Sequence, residues 1–309
     1  MHTILGAGGS VANALTRELL DNNQTIRLVS RKQQAITGKN LSWKKADLLN
    51  YAELQEAVKG STVIYLTAGL VYDKKVWAAQ WPVIMQNVIN LAKETGARLI
   101  FFDNVYMYGL VNGPMKEDTP YNPCSVKGEI RAKIATQLMD EAKAGNIKAS
   151  IARAADFYGT DNNNGFLDVM VLANLAKKQK AQWLGDPYKL HNFSYVPDMG
   201  KGMYLLGQKP ESDNQIWHMP TAPVFTGKQF IELASGIYGM QPKHFAINKL
   251  MMSLYGLFNK NVGEMVEMYY QYDHDYIFDS SKFEKAFNFK PTSYEDGIKQ
   301  MSETLYKIA

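Results

Sequence analysis

A chain of 309 residues, 46% hydrophobic and 21% charged, can bury one or two cores and is too apolar for intrinsic disorder. The net charge of +4 is spread without a Lys/Arg block, which points away from nucleic acid, and no apolar run reaches the roughly 18 residues of a membrane span. The single cysteine, Cys124, excludes an internal disulfide framework; with no leader visible ahead of His2, the expectation is a cytoplasmic protein.

In chain order, β-rich runs at 2–5, 25–30, 41–45, 62–67, 98–103 and 148–152 alternate with helix-like segments, the pattern of parallel strands joined by crossover helices. The helix predicted over 10–20 carries Val11, Leu15 and Leu19 four apart, one stripe for a sheet. The fold class is therefore α/β, a Rossmann-type doubly wound parallel sheet over 1–155. After 155 the alternation breaks into Gly/Asn-rich and Pro-punctuated stretches. Residues 156–309 are expected to form a smaller, discontinuous C-terminal substrate lobe, with about 190–214 returning to the main sheet. The methionine-rich stretch 249–258 suits a lid, a subunit contact or a membrane-surface helix, and packing within the lobe is the default.

The turn from the first strand into the first helix reads Gly6-Ala7-Gly8-Gly9-Ser10-Val11-Ala12, the context of a dinucleotide fingerprint. Gly6 permits the tight turn, Gly8 and Gly9 admit the pyrophosphate, and the N–H groups of Ser10 and Val11 open the helix towards it. The alternative is a plain turn. The second strand ends Ser30-Arg31-Lys32, without the acid that accepts from an NAD ribose. Arg31 can pair with a 2′-phosphate and Ser30 donate beside it, so NADP (NADPH) is favoured over NAD; otherwise these are strand-end charges. Asp47 and Leu48 follow the third strand where adenine would lie, and the small Ala68 and Gly69 follow the fourth, although turn chemistry explains both pairs as well.

With Asn104-Val105-Tyr106-Met107-Tyr108-Gly109, Arg153-Ala154-Ala155-Asp156-Phe157-Tyr158-Gly159 and Tyr195-Val196-Pro197-Asp198 following in this order, the chain resembles the extended short-chain dehydrogenase/reductases, the NAD-dependent epimerases and dehydratases. The resemblance implies a dinucleotide on the glycine loop and a small polar or sugar-like substrate between sheet and lobe. It also exposes departures. Asn104 stands where the family has a catalytic Ser/Thr, and the expected Tyr-x-x-x-Lys is replaced by Lys127 and Arg131, still one helical turn apart.

Lys127 can be the proton donor or, with Arg131, hold ribose and phosphate oxygens; Tyr106 can substitute for the absent phenol or pack. Cys124 reads as a small buried hydrophobe and His191 as a structural histidine. The five histidines show no metal-ligand spacing, so no metal is expected. Two readings compete: an NADP-dependent oxidoreductase or epimerase with a non-standard active site, or an NADPH-binding regulatory sensor without catalysis. The missing Tyr-x-x-x-Lys favours the sensor, and the segment 195–198, read as lying beside a cleft, favours the enzyme. The expected partner is a small molecule, not nucleic acid or membrane, and a homodimer is left open.

Overall fold

The computed structural model describes residues 1–159, 161 and 165–307. Its centre is a seven-stranded, all-parallel sheet in the order β11-β6-β5-β4-β1-β2-β3. The first six strands are β1 (His2–Leu5), β2 (Ile26–Ser30), β3 (Leu41–Lys45), β4 (Val63–Leu66), β5 (Arg98–Asp103) and β6 (Ala149–Arg153), within one residue of the runs read from sequence. The central ones were legible because parallel strands covered on both faces read as continuous apolar runs, and β1 and β4 are buried throughout; β3, at the sheet edge, has no buried residue.

Helices α1 (Ser10–Asp21), α2 (Tyr51–Val58), α3 (Lys74–Thr95) and α4 (Val126–Lys143) make the crossovers. The helices α2, α3 and α4 cover one face, burying Trp81, Ile84, Val88, Ile134 and Leu138 against Ile64, Leu66 and Leu99. The other face is closed by α1 together with helices from beyond 155. Because strand order reverses at β1, the carboxyl ends of β1 and β4 part there and open a crevice.

Beyond β6 come β7 (Asp156–Tyr158), α5 (Ala173–Ala176), β8 (Ala181–Leu184), β9 (Leu190–His191), β10 (Phe193–Tyr195) and α6 (Val196–Gln208). The expected return to the sheet is shifted. Strand β10 pairs with β7 outside the main sheet, and the strand that joins β6 is β11 (Ile216–His218), just past the 190–214 segment. Three residues are too short to show a period of their own. What 190–214 does contribute is α6, which packs on α1 so closely that a Cβ on Gly200 would lie 2.7 Å from the Ala14 carbonyl carbon.

The remaining elements are β12 (Phe225–Thr226), α7 (Gly227–Ile237), β13 (His244–Ile247), α8 (Lys249–Gly256), α9 (Lys260–Met265), α10 (Tyr270–Asp273), α11 (Ser281–Phe287) and α12 (Tyr294–Thr304). A lobe core forms around Trp183, Phe193, Phe230 and Tyr294. The methionine-rich helix packs less than expected. Only Met252 of α8 is buried, while Leu250, Leu254, Leu257 and Phe258 face outwards. Among the described residues no helix is long and apolar enough to cross a membrane, and no three His, Cys, Asp or Glu side chains are arranged to hold a metal.

Candidate cofactor and substrate site

The glycine loop lies over the parted strands. Gly6 has φ +84°, and a Cβ there would sit 2.5 Å from the Ala68 Cα, so only glycine lets the β1 and β4 ends close. The amides of Gly6 and Ala7 both donate to the Val29 carbonyl, at 3.0 and 3.1 Å. Gly9 differs. Its φ of −80° is ordinary, it caps α1 with no side-chain hydrogen bond, and nothing lies within 4 Å of a Cβ built on it. That leaves an open cradle at the positive end of a helix, which suits a pyrophosphate.

At the end of β2, Ser30 is already engaged. Its hydroxyl donates to the Lys32 carbonyl at 2.6 Å and accepts from Trp43 Nε1 at 3.0 Å, so the expected donation to a 2′-phosphate lacks its hydrogen. Gln34, unnoticed in the sequence, donates to the same carbonyl at 2.7 Å and fills the space a Gly8 side chain would need. Arg31 is exposed, with no hydrogen-bond or ion-pair partner among the described residues. Asp47 accepts from the Leu49 amide (3.0 Å), the Leu48 carbonyl accepts from Asn87 (2.9 Å), and open space surrounds Gly69.

The candidate catalytic residues begin after β5. Asn104 Oδ1 accepts from the Tyr106 amide at 3.1 Å and so shapes the 3-10 turn that carries Tyr106 and Tyr108. The two phenols part. Tyr108 is buried, donating to His218 Nε2 and accepting from Arg153, both at 2.7 Å. Tyr106 is half-buried, stacked on Trp77, with its oxygen 3.3 Å from the Tyr72 hydroxyl. Burial pushes its phenol up to about 12.

Lys127 and Arg131 share one buried face of α4, as their spacing predicts, but they turn to protein partners. The Lys127 ammonium donates to Glu264 Oε2 (2.6 Å), Glu267 Oε1 (2.7 Å) and the Glu264 carbonyl (2.9 Å), which engages all three of its hydrogens. Glu264 also accepts from the Lys74 amide (2.9 Å) and Glu267 from the Val126 amide (3.0 Å), placing one carboxylate on the positive end of α3 and one on that of α4. Arg131 lies 4.0 Å over the Trp81 ring with a nitrogen 3.2 Å from Asp103. Cys124, expected to be buried, is exposed because it stands in the extended segment ahead of the Ser125 cap.

From the lobe side, Asp156 Oδ2 accepts from the Tyr272 hydroxyl at 2.9 Å and is 3.1 Å from His191 Nε2. The His191 ring is sandwiched between Tyr276, at 4.3 Å, and Tyr272, at 5.3 Å. The Asp156 side chain keeps 17% of its surface, and its Oδ1 makes no hydrogen bond among the described residues. In the segment 195–198, two side chains are held by the C-terminal part of the chain. Asp198 holds the Thr292 amide and hydroxyl, and Tyr195 donates to Gln300.

A model of the NAD dependent epimerase/dehydratase family matches residues 2–219. Cinnamoyl-CoA reductase 1 of Petunia hybrida is 34% identical over 119 residues, 34% of this chain and 36% of that protein, so the match spans little more than a third of the relative. In three dimensions the chain resembles UDP-glucose 4-epimerase of Thermus thermophilus, solved with NAD (TM-score 0.80, 14% identity, 100% of both chains). It also resembles dTDP-glucose 4,6-dehydratase of Bacillus anthracis, solved with NAD (TM-score 0.81, 14% identity, 98% of this chain and 96% of that one).

Proposed function

Because the chain belongs to the NAD-dependent epimerase/dehydratase family, we propose that it is an oxidoreductase of this family that binds NADP(H) on its glycine loop, with Tyr106 in place of the absent Tyr-x-x-x-Lys phenol. The observation that carries this reading is the half-buried Tyr106–Tyr72 phenol pair beside an α4 whose own candidate, Lys127, has no hydrogen left to give.

When bound, the dinucleotide supplies or accepts the hydride. The chain's residues do the rest. Gly6, Gly8 and Gly9, with the first turn of α1 at Ser10 and Val11, cradle the pyrophosphate; Arg31 pairs with a 2′-phosphate; Asp47 and Leu48 border the adenine; Ala68 and Gly69 leave room beside it. Tyr106 donates its proton to the substrate oxygen as the carbonyl bond opens, and the Tyr72 hydroxyl, donating to Tyr106, stabilises the phenolate left behind. A phenol raised to about 12 still suits donation to a more basic alkoxide. Asn104 holds the turn, and Arg131 anchors α4 on Asp103.

The same occupied Lys127 favours a second reading, an NADPH-responsive protein without catalysis. Tyr106→Phe separates them: on an accepted carbonyl substrate it should cut turnover by about 10²–10⁴-fold with NADPH affinity unchanged. Unaltered turnover would remove Tyr106 from the chemistry, and NADPH binding without turnover of any carbonyl or alcohol would favour the sensor.

A further inference from the structure

On grounds independent of the cofactor, we propose that the outward face of α8 and the turn after it dock on a phospholipid bilayer that carries anionic headgroups. Helix geometry builds the apolar part. Leu250, Leu254 and Leu257 recur along one stripe of α8 and its last turn, and Met251, Tyr255 and Phe258 along the stripe beside it. All six are exposed, Leu257 at 78% and Phe258 at 89%. The packing beneath holds these stripes outwards. Met252, on the opposite side of the helix, is buried with Leu184, Tyr269 and Tyr272, and a Cβ on Gly256 would lie 2.9 Å from the Gly263 Cα, so α8 and α9 are in contact. The side chains of Asn248 and Asn259 cap the two helices and leave Leu257 and Phe258 in the turn between them. Exposed apolar side chains are ordinary singly; six on adjoining stripes mark a contact surface.

Charge selects the occupant. From Leu233 to Gly263 the chain has no carboxylate and three lysines, Lys243, Lys249 and Lys260. The fold adds two more. Lys260 reaches Asp73 at 2.5 Å and Glu264 accepts from the Lys74 amide at 2.9 Å, which brings the start of α3, with exposed Val71, Lys74 and Lys75, against α9. The carboxylates at this junction are engaged, Asp73 by Lys260 and both Glu264 and Glu267 by Lys127. Asp186, whose amide donates to the Tyr272 carbonyl, and Asp273 stand with α10, on which the inward side of α8 packs. Lys74, Lys75 and Lys249 make no ion pair among the described residues, so unpaired positive charge flanks the apolar stripes. An anionic bilayer answers both parts: lysines at the headgroups, the Tyr255 phenol at the interface, and leucine and phenylalanine at the acyl boundary. A second copy meeting this face about a two-fold axis would set the lysines against their own counterparts.

The test is flotation of the full chain with vesicles of phosphatidylcholine alone and of phosphatidylcholine with about 30% phosphatidylglycerol, at low and at high salt. At low salt the anionic vesicles should carry at least about tenfold more protein than the neutral ones, and about 0.5 M salt should release most of it. Leu257→Ser with Phe258→Ser should cut the binding at least about tenfold at an unchanged melting temperature, since both side chains stand clear of the fold, and Lys75→Glu with Lys249→Glu should weaken it several-fold. No flotation with anionic vesicles, equal flotation with neutral ones, or undiminished binding in the Leu257→Ser, Phe258→Ser variant would overturn the proposal. The wild-type comparison decides even if a variant does not fold. A wild-type dimer in ultracentrifugation that the same double variant abolishes, without flotation, would give this face to a second copy instead.

Discussion

At the scale of the residue, Gly9 and Arg31 carry the cofactor assignment by different means. Gly9 has an ordinary φ and open space beyond it, so Gly9→Val should melt within about 1 kcal/mol of the parent yet lose dinucleotide binding, because the new side chain fills the cradle. A valine variant that still binds NADPH in calorimetry would show that the loop is only a turn. Arg31→Ala should weaken NADPH by about 1.5–3 kcal/mol, the range for hydrogen bonds to charged groups, and leave NADH nearly unchanged; equal losses for both would refute the 2′-phosphate contact. Both readings draw on chemistry local to one turn or one strand end. The partners of Lys127 were not legible in this way, since Glu264 and Glu267 stand 137 and 140 residues away and no spacing rule connects them. Ser30 misled for a related reason: its hydroxyl is taken by a carbonyl two residues on and by Trp43 on the neighbouring strand.

At the scale of the element, Glu264 on α9 and Glu267 just beyond it form a clasp, with Lys127 between the N-termini of α3 and α4 and Lys260 paired with Asp73 at 2.5 Å. Lys127→Met leaves two carboxylates side by side without their cation, so it should cost up to about 3–5 kcal/mol in urea unfolding. Adding Glu264→Gln and Glu267→Gln removes the repulsion and keeps acceptors for both helix amides, so the triple variant should recover much of the loss. A triple variant no more stable than Lys127→Met would show that the charges do not act as a unit. The central strands β1, β4, β5 and β6 could be read from their apolar runs, whereas β11 is three residues long and takes its place only through β6. The outward face of α8 was equally hidden, because four apolar positions in a methionine-rich run look the same whether they meet a core or solvent.

At the scale of the whole molecule, stability should fall on mild acidification. Burial, and then the nearby Arg153, hold His218 down at about 3 from an ordinary 6.5, and burial holds His2 at about 4. The folded state therefore refuses protons that the unfolded chain accepts. Stability is full above pH 6.5 and declines as pH falls, through the window down to about 3 for His218. Between pH 6.5 and pH 5 His218 alone should remove about 1.6 kcal/mol, and His218→Gln should flatten the slope by that amount; an unchanged slope in urea melts would refute it. The strand order places the proposed site at the crevice where β1 and β4 part. The most direct measurement is a crystal structure with NADPH bound. The nicotinamide C4 should lie beside the Tyr106 hydroxyl, with Lys127 still held by Glu264 and Glu267. A nicotinamide facing Lys127, with that clasp opened and Tyr106 remote, would contradict the assignment.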